Sequence, residues 1–151
     1  MARIQIDLPT DFVFKTEIPV RIDDVNIGGH LGHDSIVSLM HEARARFFAA
    51  HGWTEIQVSE SPGGGSVGII MADLAVQYLS EAFHGNRLRF QIAARDFSSK
   101  GCDLVYVIRL VGHGSDRGAG EVARAKTGIV FFDYQARTPV EIPPRFRALF
   151  A

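Results

Sequence analysis

Residues 34–47 read Asp34-Ser35-Ile36-Val37-Ser38-Leu39-Met40-His41-Glu42-Ala43-Arg44-Ala45-Arg46-Phe47. Ile36, Leu39, Met40, Ala43 and Phe47 recur at the three- and four-residue intervals that lay apolar side chains along one face of an α-helix, with His41, Glu42, Arg44 and Arg46 between them. Asp34 or Ser35 is expected to cap this helix, and Gly52 to stop it. On either side of it the period falls to two.

Before the helix, Phe12 to Arg21 reads as a strand whose proline, Pro19, consigns its end to an edge or a bend. After it, Ser59 to Ser66 carries no apolar residue and three consecutive glycines, and is expected to be a flexible loop. Four long strands follow. Ile70, Ala72, Leu74, Val76 and Tyr78 are expected on one face of the first, with Asp73 and Gln77 on the other. Leu88 to Arg95, Leu104 to Leu110 and Val122 to Phe132 make the rest. The breaks, His84-Gly85-Asn86, Ser98 to Gly101 and Gly112 to Gly120, are short turn clusters, so neighbours run antiparallel. Ile142 to Arg147 reads as a short terminal helix opened by prolines.

One long helix cannot cover both faces of a sheet of about five strands, and its own apolar stripe must be buried. The economical arrangement is an α+β domain, residues 1–151, in which a curved antiparallel sheet wraps around the helix. A partly apolar sheet face or edge is then left over, which points to a homodimer or homotetramer. The chain has 16 Lys and Arg against 17 Asp and Glu, interspersed, so there is no basic stripe for a nucleic acid. The lone cysteine, Cys102, excludes an internal disulfide framework. MARIQIDLPT breaks up any apolar signal core, and no apolar run approaches the ~20 residues of a membrane span. A cytoplasmic location without membrane or nucleic-acid partners is the expectation.

Between the first strand and the helix stands Asp23-Asp24-Val25-Asn26-Ile27-Gly28-Gly29-His30-Leu31-Gly32-His33-Asp34. This run, with Met40-His41-Glu42-Ala43-Arg44 beyond it, resembles the signature of the hotdog-fold acyl-CoA thioesterases of the 4-hydroxybenzoyl-CoA thioesterase type. In that signature D-x-D-x-x-G-H precedes a helix ending E-E-A-R. Tyr78-Leu79 followed by Gly85, Thr127 to Asp133 and Ile142-Pro143 extend the resemblance over nearly the whole chain. It implies a hotdog fold and hydrolysis of an acyl-CoA thioester to acid and coenzyme A, with no cofactor. The family's second acid, its nucleophile or general base, falls at Asn26. An amide can donate to a carbonyl or hold a water, but takes up no proton near neutral pH. If that acid supplies the usual general-base factor of roughly 10²–10⁴, something else must replace it.

Thioester hydrolysis needs a polarised carbonyl, an activated water and room for the acyl group. Gly28, Gly29 and Gly32 lie just before the helix, where backbone N–H groups are unpaired and the dipole favours developing negative charge. The candidates for the base are spread along the segment. His30 falls on the family's histidine position, where orienting the loop is the natural role. His41 and Glu42 lie at the helix level where a related hotdog thioesterase type places its base, although Glu42 sits four residues before Arg46 and suits a surface ion pair. Asp34 suits a cap, and Asp24 and Asp73 are further options. His30 and His33 with Asp34 could be taken for metal ligands, but no third or fourth ligand completes a known spacing, and no metal is expected. Arg95 and Lys100 are the expected contacts for coenzyme A phosphates, and Phe47, with Phe48 and Trp53, the expected acyl lining. Two rival readings remain: a catalytically silent acyl-thioester-binding domain, kept open by Asn26, and a hotdog hydroxyacyl-thioester dehydratase, whose motif nothing matches.

Overall fold

The computed structural model of the protein describes residues 1–112 and 120–151. Its elements are β1 (Phe14–Pro19), a 3-10 turn (Ile22–Asp24), α1 (His33–Ala50), β2 (Ser59–Glu60), β3 (Ser66–Tyr78), β4 (Arg87–Arg95), β5 (Gly101–Leu110), β6 (Glu121–Asp133), β7 (Thr138–Pro139) and α2 (Pro144–Phe150). The strands form one antiparallel sheet in the order β1-β4-β5-β6-β3-β2, with β7 beside β6. The sheet curls around α1, the α+β hotdog arrangement expected from the sequence. Among the described residues five strands are long, and two short strands the sequence did not announce, β2 and β7, complete the sheet.

The helical period and the strand period meet in one core. Ile36, Leu39, Met40, Ala43, Phe47 and Phe48 of α1 pack on Leu88, Phe90, Ile92, Leu104, Tyr106 and Ile108, all buried. Burying each large apolar side chain contributes about 1.5–3 kcal/mol. Pro143 and Pro144 open α2 as expected, and Phe146 enters the same core. The opposite face of the sheet carries the N-terminal segment. There the Ile6 N–H donates to Gln77 Oε1 (3.2 Å) and Arg124 Nη1 donates to the Ile6 carbonyl (3.2 Å).

Three sequence expectations change. The helix begins two or three residues earlier than expected, at His33, with Gly32 rather than Asp34 or Ser35 as its cap residue and no side-chain cap bond. Ser59–Ser66 is no flexible loop but a tight hairpin: the Ser61 N–H donates to the Gly65 carbonyl, and the Gly65 N–H to Ser61 Oγ (3.1 Å). In β3 the register slips between Met71 and Asp73, leaving Ala72 bulged out of the two-residue alternation. Ile70, Ala72, Leu74 and Tyr78, expected to share one face, are exposed, and so are Met71 and Asp73 between them. Of the turn Gly112 to Gly120, residues 113–119 lie outside the described residues.

The connection after α1 is held by the start of β3. The Ile69 N–H donates to the Glu55 carbonyl (2.7 Å) and the Val58 N–H to the Val67 carbonyl (2.7 Å). The approach is so close that a Cβ on Gly68 would lie 2.5 Å from Ile56 Cα. Only glycine fits there. This contact holds Glu55 against the middle of α1.

Candidate active site

Asp24 fixes the approach to the site. Buried, it accepts from the Arg21 backbone N–H (2.8 Å), Nε (3.1 Å) and Nη2 (3.0 Å). The Arg21 guanidinium holds its carboxyl below the usual carboxylate range against the opposing effect of burial. Asp24 is thus occupied as an anchor, and the structure does not support it as a base.

The chain then folds back on itself in a narrow loop, bridged between Val25 and Leu31. The Asn26 N–H donates to the His30 carbonyl (2.9 Å), and the Gly29 N–H to the Asn26 carbonyl (3.0 Å). Asn26 Oδ1 accepts from the Gly28 N–H (3.0 Å). Gly29 has φ +82°, a left-handed conformation that explains its glycine. The Leu31 N–H reaches the Ala82 carbonyl (2.7 Å), and the Gly32 N–H the Asp24 carbonyl (2.9 Å).

Those bonds revise one expectation. The N–H groups of Gly28, Gly29 and Gly32 are all engaged within the loop, so they are not the carbonyl-polarising donors. In the first turn of α1, by contrast, the backbone N–H groups of His33, Asp34 and Ser35 have no acceptor among the described residues. Tyr78 holds that turn in place: its hydroxyl donates to the His33 carbonyl (2.8 Å), and the rings of His33 and Tyr78 meet edge-on at 6.4 Å. Burial and then the Asp34 carboxylate push the Tyr78 pKa up, so it remains a donor.

A cavity of about 350 Å³ opens at this point, lined by Asn26, His30, His33 and Ile36 on one side and by Tyr78, Leu79, Ser80, Glu81 and Val122 on the other. His30 is half-buried, with Nδ1 3.4 Å from the Leu31 carbonyl and Nε2 3.7 Å from Glu81 Oε1. With the proton on Nδ1, Nε2 is free to accept a hydrogen bond from a water, and the Glu81 carboxylate stands beside it at ion-pair distance. Four of the sequence candidates, Asn26, His30, Gly29 and His33, with Gly32 beside them, therefore belong to one loop and helix start. Glu81 was missed. It stands in an irregular segment with no period to mark it.

The other candidates lie elsewhere. Glu42 pairs with Arg46 (2.7 Å), which also donates to Thr16 Oγ1 and the Glu17 carbonyl, so it ties α1 to β1. His41 Nε2 contacts Glu55 Oε2 at 2.9 Å, farther along the helix, and Arg44 Nε bonds the other oxygen of the same carboxylate. Asp73 is held by Lys126 (3.1 Å) and the Gly128 N–H (3.0 Å). Phe47 is fully buried among Phe14, Phe48, His51 and Phe150, a core residue rather than an acyl lining. Arg95 donates to the Asp7 carbonyl and Lys100 to the Pro139 carbonyl. Lys100 precedes Gly101, which pairs with Val130, eight residues along β6 from Val122 at the cavity, roughly 26 Å away at strand rise. Among the described residues no three His, Cys, Asp or Glu side chains come together to hold a metal ion, and no helix is long and apolar enough to cross a membrane.

A curled antiparallel sheet around one helix, with a glycine-rich loop delivering polar side chains to that helix's N-terminus, defines a hotdog domain. Residues 20–150 match the model of the thioesterase-like superfamily, and the chain belongs to that family. Among solved structures it is similar to Slr0204, a 1,4-dihydroxy-2-naphthoyl-CoA thioesterase from Synechocystis, with a TM-score of 0.75 and 18% identity over 90% of this chain and 93% of that one. The PA2801 protein of Pseudomonas aeruginosa superposes with a TM-score of 0.77 at 18% identity, covering 93% and 100% of the two chains. YbaW of Escherichia coli gives 0.68 at 17% identity, covering 89% and 94%. No curated protein sequence matches the chain significantly.

Proposed function

We propose that the protein hydrolyses an acyl-CoA thioester, with His30 as general base. The observation that carries this reading is the meeting, in one cavity, of Asn26, His30 and Glu81 with His33, the first of the residues whose unengaged N–H groups open α1. A water donating to His30 Nε2 loses that proton to His30 as its oxygen attacks the thioester carbon, and the Glu81 carboxylate beside the ring stabilises the imidazolium that forms. The resulting oxyanion receives hydrogen bonds from the first-turn N–H groups and from the Asn26 amide, whose Oδ1 is already taken by Gly28. On collapse the C–S bond breaks and His30 returns the proton to the departing thiolate, leaving the acid and free coenzyme A. No cofactor enters the scheme.

The nucleotide arm has an adjacent place. A more open cavity of about 680 Å³, lined by Gln5, Gln77, Glu121 and Arg124, shares Leu79 and Ser80 with the first. Arg124 there is held by Glu121 (2.8 Å) and donates to the Ile6 carbonyl (3.2 Å), so it is assigned no phosphate. The protein associates with a second copy through β3, whose outer edge carries β2 at Val67 and Ser66 and the Glu55–Ile56 segment at Gly68 and Ile69, and is otherwise open from Ile70 to Tyr78. An apolar edge of that length is stable in water when covered by another strand.

Steady-state thiol release from short-chain, long-chain and aromatic acyl-CoAs tests the reading, with His30→Ala alongside. Turnover should fall by roughly 10²–10⁴ in the variant. Coenzyme A binding without turnover on any substrate would instead favour the catalytically silent binding domain, the second reading, for which Asn26 in place of a carboxylate is the specific observation.

A further inference from the structure

One turn farther along the seam between α1 and β3, a second cavity of about 420 Å³ opens. Val37, Met40, Met71 and Leu74 make its sides apolar, whereas Arg44 and Thr127, both buried, stand at its inner end. Ile36 lines the first cavity and Arg44 the second, eight residues apart and so about 12 Å along the helix.

We propose that this second cavity receives the far end of the acyl group and selects thioesters whose chain carries a neutral oxygen, a hydroxyl or keto group, about 12 Å from the thioester. The proposal rests on the hydrolase reading of the first cavity and names its substrate class. Glu55 bonds both Arg44 and His41, so the guanidinium already has its counter-charge. A second anion entering the cavity would be desolvated beside Glu55 and Asp73 with no unpaired cation to meet it. A neutral oxygen faces no such penalty. The donor for it is Thr127: its Oγ1 lies 3.0 Å from the Tyr106 hydroxyl, and Tyr106 in turn faces Arg44. A guanidinium can only donate, so Tyr106 accepts from that side and gives its own proton to Thr127. The Thr127 proton is then left for the cavity. A plain alkyl end would leave that donor dry and unpaired.

The test compares decanoyl-CoA, 10-hydroxydecanoyl-CoA and the matching dicarboxylic thioester. Thiol release should show kcat/KM about tenfold or more higher for the hydroxylated chain than for either other. In Thr127→Val that ratio should drop to about one, and in Thr127→Ser, which restores the hydroxyl, it should return. A wild-type ratio of one or less, or a ratio unmoved by Thr127→Val, would overturn the proposal. Calorimetric titration with S-(2-oxoalkyl)-CoA ketones, which lack a leaving thiol, separates it from the hydrolase reading. Tighter binding of the hydroxylated ketone without any thiol release from the esters would support the cavity while refuting hydrolysis; hydrolysis without discrimination would do the reverse.

Discussion

Asn26 is where sequence and structure carry different information. The substitution of an amide for the family carboxylate is visible in the sequence, yet its consequence depends on which atom is already engaged. Oδ1 closes the turn on the Gly28 N–H, so the amide nitrogen is the part left to face substrate. Asn26→Asp keeps the turn, because a carboxylate accepts the same bond, but removes the donor. Thiol release should therefore fall by about 10²-fold, with little change in melting temperature. A rise in activity would show that the missing carboxylate was the only defect. Asp24 offers a second check. Its carboxyl is held low by Arg21, so its contribution to stability is complete above the unfolded carboxylate value of about 3.9 and is lost as pH falls through the lower folded value. Denaturant titrations at pH 7 and pH 3 should show a smaller acid loss for Asp24→Asn than for the unaltered protein.

At the scale of elements, the periodic parts of the chain were legible and the interrupted parts were not. The α1 stripe and β4 to β6 follow from spacing because one principle, burial of one face, sets all their residues. β3 defeated the same logic through a single bulge at Ala72, which no local pattern marks. The site suffers likewise: Asn26, His30 and His33 stand together in sequence, whereas Glu81, Glu55 and Thr127 reach their places only through strand register and the Gly68 contact. Arg44 is buried against Glu55, and Glu55→Gln should cost about 3 kcal/mol in urea unfolding, because it strands a guanidinium in the interior. Phe47→Ala should cost about 3–5 kcal/mol in the same experiment, the signature of a core ring rather than a replaceable substrate wall.

For the whole molecule, the α+β architecture follows from counting faces, one long helix and one sheet, and the proposal of a partner rests on the apolar surface they leave uncovered. The surplus lies on β3, where Ile70, Met71, Leu74 and Tyr78 are exposed beside an open edge. Light scattering after size exclusion should give twice the chain mass or a higher multiple. Ile70→Lys should shift the population toward the single chain.

That edge and the chemistry share a residue. Tyr78 closes β3 and, 45 positions away in sequence, grips the carbonyl of His33 where α1 begins. Whatever steadies the strand steadies the donors aimed at the substrate, and strand pairing obeys mass action. Turnover per chain should then depend on how much protein is in the tube: constant when concentrated, declining on dilution as partners separate, and restored when they meet again.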